Sequence, residues 1–324
     1  MVPPPKRLRR LPPEGGADSG PAKPVPRRPL GTAAVTGAAV QAPSPQIDMT
    51  ASIVAPRDPA ARYVMRLGDT CLILAQRIAE WCGHAPILEE DIALTNMALD
   101  LIGQARALFT LAGELNARAG GAPYDEDQLA FLREERDYLN PVLVELPNAL
   151  PGALSGSAAG AGGRDFAFTV LRNAMMATWL ELLWQHLASS TEPELAAIAG
   201  KAVKEARYHR EHAADWVRRL GDGTDESARR LAAALQGCWR FHAELFATDA
   251  LDEAAAASGL GPRADALREA WDAAMGALLA EVRLTPPAAT AFVSQGRQGV
   301  HSEAMGYLLA TMQHLQRSFP GGAW

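Results

Sequence analysis

Apolar residues recur at helical spacing along the chain from about residue 60 onward. In the first such segment they are three or four residues apart, at Val64, Leu67, Cys71, Leu74, Ile78 and Trp81. Side chains at this spacing share one face of a helix, so the pattern predicts an amphipathic helix with a buried stripe. Gly83 and Pro86 end it. Three acids at 89–91 then open a second helix, where the helix dipole favours negative charge.

The second helix has apolar residues on two faces. Its main stripe comprises Leu94, Met97, Leu101, Ala105, Leu108, Ala112 and Leu115. Leu99 and Ile102 lie on another face. We therefore expect this helix to be central in the domain, and we expect Leu99 and Ile102 to help form an interface with a partner protein.

Two more long helices are predicted after a connection rich in Pro and Gly, at about 165–189 and 192–220. Apolar spacing on the later helix places His209 and Trp216 in its buried stripe. Two helical hairpins joined by a long crossover form a ferritin-like bundle. Additional C-terminal helices are expected at about 225–250, 262–282 and 301–318.

Composition supports an all-α fold for most of the chain. The 324 residues are 48% hydrophobic and only 6% aromatic, and long alternating runs of Val, Ile and Thr are missing. Residues 1–58 differ, since they are rich in Pro, Gly and Arg and lack apolar periodicity. We expect a disordered extension over 1–58, either a solvated tail or an upstream extension of the reading frame before Met49, and a ferritin-like domain over 59–324.

Charge and cysteine usage exclude several classes of function. The extension carries eight Lys and Arg and four acids, whereas the whole chain has a net charge of −6. Its basic KRLRR tract is consistent with a nucleic-acid patch or a targeting tract, but the acidic remainder argues against nucleic acid as a partner. Three cysteines without CxxC spacing fit a reducing cytoplasm. Neither a membrane span nor a signal peptide is expected.

The bundle pattern raises the question of a di-iron centre. Such a centre takes a Glu from each of two helices and a Glu-x-x-His pair from each of the other two. The first helix offers only Asp69 and, near its end, Glu80; the third offers Glu181. On the second helix, the position three residues after Asp100, where an imidazole is required, is occupied by Gly103. On the fourth helix, the corresponding position three residues after Glu205 is occupied by Tyr208. Both pairs are therefore incomplete, and the sequence predicts a degenerate site without metal.

Two interpretations of the remaining polar residues stay open. Buried carboxylates without imidazoles are expected to be protonated or paired with an arginine, and Arg106 and Arg207 are available. His209 then is a hydrogen-bonded core residue. Alternatively, Glu205, His209 and His212 form a residual metal site.

A glycine-rich QGRQG segment at 295–299 precedes the last helix. Its backbone amides and Arg297 are suited to contact a phosphate, and His301 follows closely. Arg297 and His301 are thus candidate contacts for coenzyme A or for a partner. The alternative is a plain loop.

Six segments of the chain together resemble the C subunits of ring-1,2-phenylacetyl-CoA epoxidases, also called phenylacetate-CoA oxygenases. They are RLGDTCLILAQRIAEWCGHAP, ALDLIGQAR, LREERDYLNPVLVELPN, KEARYHREHAADWVRRLGDGTDES, WRFHAELF and HSEAMGYLLATMQHLQRSFPG. The resemblance runs from about Tyr63 to Trp324. The extension, the Ala/Gly-rich loop at 152–163 and Gln298, where the family tends to carry lysine, depart from the family pattern.

The resemblance implies a ferritin-like chain without a cofactor of its own. In this family the di-iron centre belongs to the catalytic A subunit, which the C subunit supports as a structural partner. The function implied is an accessory, non-catalytic subunit of the epoxidase complex in phenylacetate catabolism. A different class of function is an independent ferritin-like di-iron oxidase or metal-binding protein, and metal analysis separates the two.

Overall fold

A computed structural model describes residues 52–149, 163–319 and 322. Four long helices form the body of the domain: α1 (Pro59–Ala79), α2 (Leu88–Arg118), α5 (Phe166–Leu187) and α6 (Pro193–Gly221). The helix pairs α1–α2 and α5–α6 are two hairpins joined by a long crossover. This is the ferritin-like arrangement, and the predicted fold class is confirmed.

Helices α1 and α5 form the centre of the bundle. Nearly every side chain of α1 between Tyr63 and Ala75 is buried, and α5 is buried over most of its length. By contrast, α2 buries one face and exposes Leu99 and Ile102 on the other. The prediction that α2 is central was therefore wrong, because among the described residues its second apolar face is largely exposed.

The crossover contains only short helical pieces. Helix α3 (Glu126–Phe131) has a capping box at Asp125, and α4 (Val142–Glu145) directly follows Pro141. A 3₁₀ turn at Glu135–Asp137 lies between them. Residues 150–162, which include most of the predicted Ala/Gly-rich loop, lie outside the described ranges.

The predicted C-terminal helices are present, with different ends. They are α7 (Asp225–Trp239), α8 (Ala250–Ser258), α9 (Arg268–Glu281), α10 (Glu303–Met312) and α11 (His314–Ser318), with 3₁₀ turns at His242–Phe246, Ala264–Leu267 and Gly296–Gln298. Helix α8 was not anticipated. Its signal was present, since Asp249 caps it and Gly259 ends it in the left-handed conformation.

The packed domain begins before the predicted boundary at residue 59. Asp58 caps α1, accepting a hydrogen bond from the Ala61 amide at 2.9 Å. Ile53 packs against the core and donates its amide to the Leu132 carbonyl at 3.1 Å. Residues 52–58 therefore lie against the bundle. The rest of the predicted extension, including KRLRR, lies outside the described residues.

Within the described ranges the chain is helical, with a single isolated β-bridge between Gln295 and Val300. None of the helices described there is both long and apolar enough to cross a bilayer.

Candidate functional site

The four helices of the bundle place the predicted di-iron positions between α2, α5 and α6. Helices α2 and α6 run antiparallel, since Asp100 pairs with His209 and, four residues on, Gln104 pairs with Glu205. The acids of both incomplete pairs, Asp100 and Glu205, thus lie along one seam.

Asp100 contacts an imidazole from the facing helix. Its Oδ2 lies 3.1 Å from Nε2 of His209, which is buried in the α6 stripe as predicted. Burial lowers the pKa of His209, although the hydrogen bond and charge of Asp100 oppose the shift. A neutral imidazole bonded to a half-exposed carboxylate is therefore favoured at this position, in agreement with the prediction of a hydrogen-bonded core histidine.

Glu205 is bonded to two side chains. Its Oε2 accepts a hydrogen bond from the Gln104 amide at 2.9 Å, and its Oε1 lies 3.3 Å from Lys201 Nζ. Gln104 in turn accepts from Cys71, whose thiol pKa is raised by burial. Cys71, Gln104 and Glu205 thus connect α1, α2 and α6, and the only charged partner of Glu205 in this set is the exposed Lys201.

Gly103 and Tyr208, which stand at the two positions where histidines are required, are both exposed. Tyr208 is 51% exposed, and Gly103 is exposed with open space where a Cβ would stand. The i+3 positions of these two pairs therefore do not face a common centre.

Glu181 is neutralised by arginines of α6. Its two carboxylate oxygens accept hydrogen bonds from Nε of Arg207, at 3.1 Å, and from Nε of Arg210. Arg207 was predicted as such a partner. Arg106, also predicted, instead contacts Glu126 on the surface. Two guanidinium groups beside a buried carboxylate oppose the binding of a metal cation at that site.

The alternative site of Glu205, His209 and His212 does not come together. His212 Nε2 faces Glu90 Oε2 at 3.0 Å, whereas His209 faces Asp100. Among the described residues, no three His, Cys, Asp or Glu side chains lie close enough to share a metal ion. Glu205 is occupied by Gln104 and Lys201.

The two acids predicted for the first helix, Asp69 and Glu80, also have other partners. Asp69 and Arg133 form a fully buried ion pair, and Asp69 additionally accepts the Leu139 amide at 2.9 Å. Glu80 accepts from Arg77 and from the Asn148 amide group. Both acids therefore hold the crossover against α1. The residues at the predicted metal positions do not fit a di-iron centre, because their carboxylates bind cations and amides of this chain and their imidazole positions are exposed.

Arg297 does not reach solvent as the predicted phosphate contact requires. Its guanidinium is buried and bonded to Asp252 at 2.7 Å and to the Ala247 carbonyl at 2.9 Å, while its amide donates to Glu244. Arg66 contacts the same Asp252 oxygen, Oδ1, at 3.1 Å. The prediction is corrected accordingly: Arg297 fixes the loop before α10 to the bundle.

Sequence reasoning missed the acids of this network. Asp252 is 45 residues from Arg297 and 186 from Arg66, so no local spacing signals the contact. Glu244 is likewise buried, and burial raises its pKa despite hydrogen bonds from Ser294, Arg297 and Val142. Only the fold brings these residues together.

The His301 side chain is also buried, contrary to its predicted role as a ligand contact. Nδ1 lies 2.7 Å from Glu145 Oε2, and Nε2 lies 2.9 Å from the Tyr138 carbonyl. Burial acts to lower the pKa of His301, but the hydrogen bond and charge of Glu145 more than offset it and raise the pKa. His301 therefore joins the start of the last helices to the crossover.

The predicted interface residues are where a partner could reach them. Leu99 is 58% exposed and Ile102 36% exposed, and both are on the outer face of α2. Leu88 and Ile92, exposed on the same face, extend the patch toward the start of the helix. We call the face formed by Leu88, Ile92, Leu99 and Ile102 the outer stripe of α2.

Comparison with known proteins adds two similarities. The model of a family described as phenylacetic acid catabolic protein matches residues 46–324. The chain is also 44% identical, over 262 residues, to a protein of Escherichia coli strain K12 named as the C subunit of 1,2-phenylacetyl-CoA epoxidase. That match covers 81% of this chain and 98% of the relative. The family match includes all the residues that form the bundle and its seam.

Proposed function

This chain belongs to the phenylacetic acid catabolic protein family, and from that premise we propose that it is a non-catalytic, structural subunit of a multicomponent 1,2-phenylacetyl-CoA epoxidase. It supports a separate di-iron catalytic subunit. The relative from Escherichia coli, named as the C subunit of such an epoxidase, supports this assignment at 44% identity.

The observation that carries the non-catalytic role is the state of the seam between α2, α5 and α6. Glu181 is held by two arginines, Glu205 by Gln104 and Lys201, and Asp100 by His209. These contacts hold the helices together where a catalytic relative would need free carboxylates. Iron, and the oxygen chemistry that it supplies, belong in this proposal to the partner.

The proposed docking surface is the outer stripe of α2. Leu99 and Ile102 are apolar and exposed on a helix whose other face is fully packed. An obligate partner interface typically buries about 2,000 Å² or more and is rich in apolar side chains. Such an interface would cover the outer stripe in a cytoplasmic complex.

Reconstitution tests the accessory role directly. A di-iron catalytic subunit and its reductase, assayed with phenylacetyl-CoA, should show little epoxidation alone and should gain activity when this chain is added. Leu99→Glu and Ile102→Glu should impair that gain because each places a charge in an apolar interface. Circular dichroism and an unchanged melting temperature establish that the variants are folded.

Metal analysis separates the proposal from an independent di-iron oxidase or metal-binding protein. After incubation with ferrous iron and desalting, the full chain should retain well under one equivalent of iron. Two tightly held irons per chain, or full epoxidation by the catalytic subunit and reductase without this chain, would overturn the accessory role.

A further inference from the structure

The last two helices of the chain have a small apolar contact with the bundle. Helix α10 buries three apolar side chains, Met305, Leu308 and Leu309, and α11 buries none. The helices α1 and α5, by contrast, are buried over most of their length. Segments with few buried apolar side chains open more easily than a packed core. We call residues 301–318 the C-terminal segment, and its polar contacts are therefore important for keeping it on the bundle.

Glu145 of α4 is the anchor for the first residues of this segment. Its side chain has no solvent exposure, and its carboxylate accepts hydrogen bonds from the Ser302 amide and, at 3.0 Å, from the Asn140 side chain. His301 Nδ1 lies 2.7 Å from the carboxylate oxygen Oε2. Among the described residues, His301 is the one basic side chain in ion-pair contact with Glu145. Since a buried carboxylate is costly without a partner, the charge of His301 decides how well the anchor holds.

The contacts of the two His301 ring nitrogens determine how many protons the pair holds. Nε2 faces the Tyr138 carbonyl at 2.9 Å, and because a carbonyl oxygen only accepts, Nε2 must carry a hydrogen. Nδ1 faces a carboxylate oxygen, so a further proton must lie between Nδ1 and Oε2. The other hydrogen bonds to Glu145 favour its ionised form. The pair is therefore an imidazolium bound to a carboxylate.

The charged groups of α1 near this pair have partners of their own. Asp69 adds negative charge near the His301 ring, but it forms an ion pair with Arg133. Arg77 donates to the backbone carbonyl of Glu145 at 2.8 Å, and its ion pair is with another acid of this region, at the end of α1. Neither contact supplies the proton that lies between His301 and Glu145.

The remaining ionisable groups of the crossover and of the C-terminal segment bond elsewhere in the described contacts. Burial raises the pKa of the Tyr138 hydroxyl to about 12, so this group stays neutral near neutral pH. Arg317 lies 3.7 Å from Glu134, Glu135 lies against the start of α10, and Glu303 is exposed. The imidazole is thus the group at this site whose ordinary pKa lies nearest neutrality.

We infer that the proton between His301 and Glu145 fastens the C-terminal segment to the crossover, and that its loss releases this segment while the four-helix bundle stays folded. Without that proton, a nitrogen lone pair faces a carboxylate oxygen at 2.7 Å. Movement of His301 carries with it the adjacent Ser302 amide, which is the second bond from the segment to Glu145. The two residues form a pH-sensitive clasp that belongs to this chain alone and does not depend on the proposed function.

The direction of the pH effect follows from the environment of the ring. Burial acts to lower the pKa of His301, but the hydrogen bond and charge of Glu145 outweigh it, so the folded pKa is raised above the unfolded value of about 6.5. The clasp is therefore fully closed below about pH 6.5 and opens as the pH rises through the folded pKa.

Hydrogen exchange of the full chain, followed by mass spectrometry and corrected for the intrinsic pH dependence of exchange, measures the opening of each segment. From about pH 6 to about pH 9.5, the protection of amides at 302–318 should fall about tenfold or more, while that of amides in α1 and α5 stays within about twofold. Histidine-selective NMR should show the His301 ring losing its proton over the same range. Unchanged protection at 302–318, or an equal loss in α1 and α5, would overturn the clasp.

Glu145→Gln tests the proton itself. The new side-chain amide can donate to Nδ1 of a neutral His301. Its second N–H can reach Asn140, whose Oδ1 has no hydrogen-bond partner among the described residues and is presented if the Asn140 amide rotates. The variant should therefore keep the C-terminal segment protected at both ends of the pH range. A folded variant that loses protection with pH as the natural chain does would show that the proton is not the fastener.

Two histidine variants keep the test decisive if Glu145→Gln fails to fold. His301→Gln cannot donate to both acceptors and has no titrating ring, so the C-terminal segment should be weakly protected at both pH values. His314→Gln is the matched control, because His314 lies in the same segment but is exposed. It should leave the pH-dependent loss of protection as in the natural chain. Loss of the pH dependence in His314→Gln, or its retention in His301→Gln, would contradict the clasp.

Discussion

At the scale of single residues, this protein uses its buried acids to hold helices together. Asp69 and Arg133 are both fully buried, and Arg133 also lies over the Tyr138 ring, 4.2 Å from its centroid. Arg66 and Arg297 share Asp252 in the same manner. Removing one member of such a pair leaves the other charge without a partner in a poorly solvated site.

Asp69→Asn should therefore lower the free energy of unfolding by about 3–5 kcal/mol, measured by urea denaturation, because Arg133 stays charged and buried. Glu226→Gln provides a control. Glu226 pairs with Arg229 and Arg230 in full contact with solvent, and its loss should leave the denaturation midpoint almost unchanged. Equal midpoints for the two variants would show that the buried pair does not stabilise the fold.

The two buried histidines make opposite contributions to the dependence of stability on pH. The pKa of His301 is raised, so its stabilisation is complete below the unfolded value of about 6.5 and is lost as pH rises through the folded pKa. The pKa of His209 is lowered, so the unfolded state takes up the proton first and stability falls as pH drops below about 6.5.

His301→Gln should therefore cost more stability at pH 5.5 than at pH 8, whereas His209→Gln should cost less at pH 5.5 than at pH 8. Urea denaturation of both variants and the natural chain at the two pH values measures the differences. The same sign for both variants would contradict the environments described for the two side chains.

At the scale of elements, the long helices form where the apolar spacing predicts them. The buried face of α6, however, was predicted incorrectly near its C-terminal end. The predicted stripe continued to Trp216, whereas the structure buries Ala213, Ala214 and Val217 and leaves Trp216 half-buried. Trp216 packs edge-on against Phe166 and beneath Arg219. A strict four-three pattern drifts around a straight helix of 3.6 residues per turn, so over 29 residues the stripe moves off the predicted positions.

This placement changes the expected effect of removing the indole. Trp216→Ala should lower the free energy of unfolding by about 2 kcal/mol, below the range of about 3–5 kcal/mol for a fully buried tryptophan. Trp184 on α5 is fully buried, and Trp184→Ala should reach that range. Denaturation of both variants measures the two losses. A loss from Trp216→Ala as large as that from Trp184→Ala would place Trp216 in the core after all.

At the scale of the whole molecule, the sequence predicted the bundle better than it predicted the contacts of its polar residues. Helix periodicity is local, and it gave the four long helices and the exposure of Leu99 and Ile102. The partners of Asp69 and Arg297 are 64 and 45 residues away, and only the packed fold determines them. The missing histidines could be read from the sequence because i and i+3 residues of a helix are neighbours in sequence as well as in space, whereas the absence of bound metal stays a prediction.

The boundary of the domain gives the last prediction. A chain that starts at Ala51 retains the Ile53 amide bond to Leu132 and the Asp58 cap of α1. It should keep the melting temperature and the partner binding of the full chain, because residues 1–50 are too poor in regularly spaced apolar residues to add to a core. A chain that starts at Pro59 loses both contacts, and the cap alone is worth about 1 kcal/mol. Thermal denaturation of the two truncations should therefore place the shorter one several degrees lower. A melting temperature reduced already in the chain that starts at Ala51 would show that the preceding segment stabilises the domain.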